Sequence, residues 1–196
     1  TDIKVILSGE GADELFGGYL YLHNAPNPHE FQNETYNLLK SVHSHDIIRA
    51  DRCTAAHGLE LRVPFFDRSL VNYVKAINPS LKEAHTNIEK KILRDSFQDD
   101  YLPHDVLYRQ KNGMSDAVGY SWVDCVRQFT SQMISDSEYN SFKRDKNSPM
   151  TKEEMYYRVV YESQFGGSFD NVPHVWRPKW TDQTDPSAKL LSHFNV

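Results

Sequence analysis

Apolar and polar positions fall into blocks along the chain, and each block predicts an element. Ile3, Val5, Ile6 and Leu7 form a short run rich in β-branched residues, which suits a buried strand better than a helix. The run stops at Ser8-Gly9-Glu10-Gly11, and after the proline-containing loop His23–Pro28 the apolar period changes. Phe31, Leu38 and Val42 share one face, predicting an amphipathic helix over about 29–45. Asp46 to Ala56 continues helically, and Gly58 stops it. Leu59 to Phe66 is apolar but interrupted by Glu60 and Arg62. Extended alternation places those two charges on the same side, and Pro64 bars a helix. Asp67 caps a helix whose Leu70, Val71, Val74 and Ile77 share a face, with Pro79 just past its end.

Thr86 and Glu89 have capping-box spacing for a helix containing Ile88, Ile92, Leu93 and Phe97, and Glu89, Lys90 and Lys91 read as a surface run at its start. Residues 99–119 read as loop, with Asp116 ordering it. Trp122, Val126, Phe129 and Met133 predict another amphipathic helix. Residues 140–150 form a polar linker, and Thr151 with Glu154 caps a last helix reaching about Phe165. Trp122, Tyr19, Tyr21, Tyr156 and Tyr157 read as core aromatics. The pattern predicts a mainly α chain: one block over 1–165 and an irregular tail over 166–196.

Composition narrows the classes. The 196 residues are 39% hydrophobic and 25% charged, enough for one sizeable core. A net charge of −5 with both signs mixed argues against nucleic acid, and no apolar run approaches the ~20 residues that span a bilayer. Cys53 and Cys125 read as buried thiols in a reducing cytoplasm rather than as a disulfide or metal site. The nine histidines lack ligand spacing, so no zinc is assigned. The abrupt opening on a strand suggests a piece of a longer protein. Without neighbouring strands, that strand would leave a sheet edge and apolar surface uncovered.

The candidate chemistry concentrates in the first turn. Gly9 and Gly11 let the backbone turn sharply and approach a ligand. Glu10, Asp13 and Glu14 would hold a metal or orient a cationic or reacting group, and a strand ending in such a turn is a usual ligand position in α/β sheets. The competing reading is a plain strand-to-helix turn with an acidic helix start. A dinucleotide fingerprint fits poorly, because Glu14 stands where its third glycine belongs, and no Gly-Lys-Ser/Thr follows. Three polar islands stand out: residues 8–14, the pair Glu60/Arg62, and the loop around Lys111.

The blocks SGEGADELFGGYLYLHNAP, RADRCTAAHGLELRVPFFD, IEKKILRDSF, YRQKNGMSDAVGYSW and WTDQTDPSAK occur in this order. Together they resemble the synthetase domain of glutamine-hydrolysing asparagine synthetase over nearly the whole chain. The resemblance implies the C-terminal portion of an α/β adenine-nucleotide-hydrolase-like domain, of the PP-loop ATP pyrophosphatase type. It implies ATP and Mg²⁺, with aspartate and ammonia from glutamine as further small-molecule partners. It also implies no nucleic acid or membrane partner, a cytoplasmic location, and a homodimer of the full-length protein. In that family aspartate's side-chain carboxylate is adenylated to β-aspartyl-AMP, and ammonia attacks the intermediate. By this resemblance Lys111 acts on the ATP phosphates and the adenylated intermediate. The Ser8-Gly9 backbone contacts ATP, Asp13 is a metal-side carboxylate, and Glu10 serves formation and use of the adenylate. Related enzymes that close β-lactam rings carry tyrosine at the Glu10 position, so Glu10 favours the ammonia-using branch.

Arg62 could clamp the aspartate α-carboxylate bidentately, with Arg49 and Arg52 as competitors. Alternatively, Arg62 pairs with Glu60 or Asp67 to fix the PFFD corner. Ala12 stands where many relatives have serine. The family's Ser-Gly-Gly-x-Asp-Ser phosphate loop and its glutaminase domain are not among these 196 residues. One wall of a synthetase site is therefore expected, inactive alone. The rivals are a related ATP-dependent amide-forming enzyme with another acid substrate, and a truncated chain acting as a non-catalytic interaction module.

Overall fold

A computed structural model describes residues 2–83, 88–99, 101–113, 122–142, 147–166 and 175–182. They fall into two compact units, residues 1–111 and residues 112–196. In the first unit, strand β1 (Val5–Leu7) pairs in parallel with β2 (Glu60–Arg62), with Val5 opposite Glu60 and Leu7 opposite Arg62. Glu60 N donates to Lys4 O (2.7 Å) and Ser8 N to Arg62 O (2.9 Å), extending the ladder at both ends. The opening strand thus has a neighbour, built from the charged stretch of the LELRV segment. Its apolar side chains are not covered: Ile3 is 58% exposed and Leu7 71%.

The crossover between the strands is helical. It comprises α1 (Ala12–Phe16), α2 (Pro28–Ser41) and α3 (Asp46–Ala55), with 3₁₀ turns at Leu20–Asn24 and Val42–Ser44. Asn27 caps α2 by accepting from Glu30 N, and Pro28 sits in its first turn, where a missing N–H costs nothing. The predicted face of α2 is the buried one: Phe31, Leu38 and Val42 are all sequestered. The helix tightens into a 3₁₀ turn at Val42 rather than continuing to residue 45.

After β2 comes α4 (Arg68–Ala76), capped by Asp67 Oδ1, which accepts from Ser69 N and Leu70 N. Leu15, Phe16 and Val74 form the core where α1 and α4 meet, with Leu39, Phe65, Leu70, Val71, Ile92 and Leu93 packed around it. Phe16 and Phe65 meet edge to face at 6.3 Å.

Two predicted features differ. Helix α5 is short (Lys91–Asp95), and Lys90, at φ 56°, is its cap residue. Thr86 lies outside the described residues, and Glu89 is not in the helix but turned inward, 1% exposed. The surface run at 89–91 is therefore not one. Within the predicted loop 99–119, α6 (His104–Leu107) forms and buries Leu107. Asp116 lies outside the described residues.

The second unit contains α7 (Trp122–Met133), α8 (Asp136–Ser141) and α9 (Lys152–Phe165). Ser135 and Glu138 form a reciprocal capping box for α8, and Thr151 Oγ1 accepts from Glu154 N to start α9. Helix α7 packs on α9, with Phe129 edge to face on Tyr156 at 5.4 Å. Its buried positions are Val123 and Thr130, followed by Ile134, whereas Trp122, Phe129 and Met133 are about half exposed. The sequence pattern therefore picked a neighbouring face, because those aromatic and methionine positions outweigh a small buried threonine in any apolar count. Cys53 and Cys125 are free and exposed, not buried. Among the described residues no helix is long and apolar enough to cross a membrane.

Candidate active site

The Ser8–Gly11 turn leaves the end of β1 and runs into α1. A Cβ at Gly9 would meet nothing within 4 Å, so this backbone is open to a ligand. Gly11 adopts φ 96°, and a Cβ there would lie 2.9 Å from the Phe66 ring; the residue must be glycine on both counts. The tight turn places Asp13 in the first turn of α1, facing back across the chain. Gly18 makes room for it, since a Cβ at Gly18 would stand 2.0 Å from Asp13 Oδ1.

Two cations converge on Asp13. Lys90 Nζ lies 2.5 Å from Oδ1 and Lys111 Nζ 3.1 Å from Oδ2. The left-handed turn at Lys90 gives that side chain its direction. All three side chains are about one-fifth exposed, so the cluster is sheltered yet reachable from solvent. Burial alone would raise the Asp13 pKa. The two ammonium groups outweigh it and hold the carboxyl below the usual aspartate range. Asp13 stays ionised, leaving one net positive charge at the mouth of the turn.

A second network lies on the acidic side. Arg49 Nη2 reaches Glu10 Oε1 at 3.3 Å and Asp46 Oδ1 at 3.1 Å. Tyr19 Oη donates to Glu14 Oε1 at 2.6 Å and approaches Asp46 Oδ2 at 3.4 Å. Burial raises the Glu10 pKa; Arg49 opposes this, while Asp46 and Asp13 push the same way. Burial likewise raises that of Glu14, which is 3% exposed, and the Tyr19 hydrogen bond only partly offsets it. Glu10 is thus a partly exposed carboxylate with an enhanced tendency to take a proton, next to a cationic cluster that favours anions.

The turn, Glu10, Asp13, Arg49 and Lys111 are brought together in the first unit. Glu60 and Arg62 are not joined to them by any ion pair described. Arg62 Nε bonds Glu60 Oε1 at 2.7 Å on the exposed side of β2, and both side chains are about 60% exposed. This is the pairing their alternation allows, at the surface rather than buried. Arg52 pairs with Asp51, also in solvent. Sequence reasoning missed Lys90, Asp46 and Tyr19. Lys90 left no signal in the sequence, because its direction comes from a left-handed backbone step outside the short helix α5.

As arranged, the described residues do not make a metal cage. Each Asp13 oxygen is engaged by a lysine, and among the described residues no group of three histidine, cysteine or acidic side chains is placed to bind a cation. A hard divalent ion needs more oxygen ligands than this one engaged carboxylate supplies.

Residues 1–32 and 24–184 match the model of the family described as asparagine synthase. The chain is 42% identical over 202 residues to the asparagine synthetase [glutamine-hydrolyzing] of Bos taurus, covering 100% of this chain and 36% of that protein. It is 43% identical to the enzyme of the same description from Rattus norvegicus and 42% to that from Homo sapiens, covering 99% of this chain and 36% of each relative. The chain therefore spans about a third of the length of these relatives.

Proposed function

The chain belongs to the asparagine synthase family, and from that premise we propose that it supplies one wall of a site making asparagine from aspartate, ATP and glutamine-derived ammonia. The observation that carries this reading is Asp13 held between Lys90 and Lys111 beside an open glycine turn that carries Glu10. Adenylation must bring an aspartate carboxylate to a polyphosphate, two anions that repel. The oxygen of the aspartate side chain attacks the α-phosphorus, the bond to pyrophosphate breaks, and β-aspartyl-AMP forms. Lys111 and Lys90 offset the phosphate charge, and Asp13 holds the two ammonium groups side by side. The open backbone at Ser8-Gly9 receives the nucleotide. Ammonia then attacks the acyl carbon, the bond to AMP breaks, and Glu10 takes the proton lost by the new nitrogen. Arg49, already on Glu10 and Asp46, is a better candidate than Arg62 for an aspartate carboxylate.

The same reading places the two-stranded sheet within a larger α/β PP-loop domain. The exposed apolar side chains Ile3 and Leu7 support further covering structure against β1. The phosphate loop and glutaminase domain would lie in the remaining length of the full protein, whose reaction would run in the cytoplasm, in a homodimer. Asp13, with one lysine on each oxygen, offers no unengaged oxygen to magnesium.

In the full-length protein, Glu10→Ala should slow aspartate-dependent pyrophosphate release or adenylate use, with circular dichroism unchanged; release and asparagine yield at wild-type rates would remove Glu10. Lys111→Ala should abolish the release, and retained release would take Lys111 out of the site.

A further inference from the structure

The two lysines that meet at Asp13 are each preceded by a residue of one hydrogen-bonded cluster, which centres on a buried carboxylate and ends at an exposed glutamine. Glu89, directly before Lys90, is 1% exposed, and its Oε1 lies 2.7 Å from His23 Nε2. The same oxygen accepts from Gln110 Nε2 at 3.4 Å, and Gln110 directly precedes Lys111. His23 belongs to the 3₁₀ turn Leu20–Asn24, just after the Gly18 that makes room for Asp13. Arg94 ties the two lysine segments a second time through their backbones. Its Nε donates to Glu89 O at 2.8 Å, and its Nη1 donates to Leu107 O. One buried carboxylate therefore joins the three segments that carry Asp13, Lys90 and Lys111.

The cluster is not saturated. Glu89 Oε2 is buried and accepts no hydrogen bond among the described residues. Leaving a buried carboxylate oxygen unmet is costly, and such groups gather where a structure serves something other than its own stability. Burial would raise the Glu89 pKa, but His23, the backbone and Arg94 together lower it, so the group stays charged.

We propose that Glu89 is a positioning residue: through His23 and Gln110 it sets the spacing of the Lys90 and Lys111 ammonium groups so that both can engage one pyrophosphate unit. This rests on the proposed function only in taking polyphosphate as the anion. Glu89 touches no reacting atom in this scheme. Its effect is exerted wholly through the two lysines, which gives the proposal a signature that a plain core residue would lack.

The probe is inorganic pyrophosphate, titrated calorimetrically into the full-length protein and its variants, each checked for an unchanged circular dichroism spectrum. Glu89→Gln should weaken binding about tenfold, the loss of roughly one charge-assisted hydrogen bond. In a Lys90→Ala/Lys111→Ala background the same change should produce no further loss, as coupled sites require. Wild-type affinity in Glu89→Gln, or an equal loss in the lysine-free background, overturns the proposal. Should Glu89→Gln fail to fold, His23→Gln and Gln110→Leu test the cluster from its more exposed members, with the same loss expected and wild-type affinity again overturning it. A wild-type protein that does not bind pyrophosphate also overturns it. A protein that binds pyrophosphate through Glu89 but releases none from ATP when aspartate is added leaves the positioning role standing and sinks the asparagine reading.

Discussion

Lys90 and Lys91 are adjacent, yet they do unrelated things. Lys90 bonds Asp13 in the sheltered cluster, while Lys91 reaches Asp95 one turn along α5. In aspartate-dependent pyrophosphate release, Lys90→Ala should lose about 10²-fold in kcat, the scale of removing one preorganised charge from a transition state. Lys91→Ala should stay close to wild type; equal losses in both would mean that the region responds only to net charge. The two carboxylates of α1, Asp13 half-sheltered and Glu14 buried, predict opposite pH behaviour. The Asp13 pKa is lowered, so its stabilisation is present above the ordinary value of 3.8 and disappears only as pH falls through the depressed value. Asp13→Asn should therefore unfold more easily than wild type at pH 7, with the gap closing in strong acid. The Glu14 pKa is raised, so the native state gives up stability as pH climbs from the ordinary value of 4.5. Glu14→Gln keeps an acceptor for Tyr19 and should be more stable than wild type at pH 7, with the gain vanishing below 4.5. Thermal midpoints of the full-length proteins across pH would check both, and a gap independent of pH would refute the charge argument. Glu10, Asp13 and Lys111 could be picked from the sequence because a glycine turn and recognisable blocks surround them. Lys90 could not, since its direction comes from one left-handed backbone step that leaves no composition signal.

Elements were readable where a side chain does a local job. Asp67 and Thr151 cap helices as their spacing predicts. The face of α2 was readable from Phe31 and Leu38. The face of α7 was not, because the large residues on it stay half exposed while Thr130 is buried with its hydroxyl bonded back to Val126 O. Element geometry also sets a sharp test at the turn after α1. Gly18→Ala puts a methyl 2.0 Å from Asp13 Oδ1, so Asp13 or Lys90 must move. We expect that variant to lose pyrophosphate release about as severely as Lys90→Ala, while Gly9→Ala, whose Cβ meets nothing within 4 Å, keeps its fold. Normal release by Gly18→Ala would mean that the Asp13–Lys90 contact is dispensable.

Among its described residues, the first unit pairs β1 and β2 in parallel across a helical crossover and sets its charged cluster just past the end of β1, where open α/β sheets receive ligands. The pairing of β1 with β2 was hidden in the sequence, because Glu60 and Arg62 break the apolar run of β2 and satisfy each other at its surface. The site was readable only in part for a similar reason: contacts far apart in the chain, such as Asp13 with Lys90 and Glu89 with His23, leave no local period. The most direct measurement is aspartate-dependent pyrophosphate release from ATP, with ammonia supplied, by the full-length protein and by this 196-residue chain side by side. We predict release and asparagine formation by the full-length protein and neither by the chain alone. Absence of both in the full-length protein would contradict the proposed reaction, and activity in the chain alone would contradict its role as one wall of a larger site.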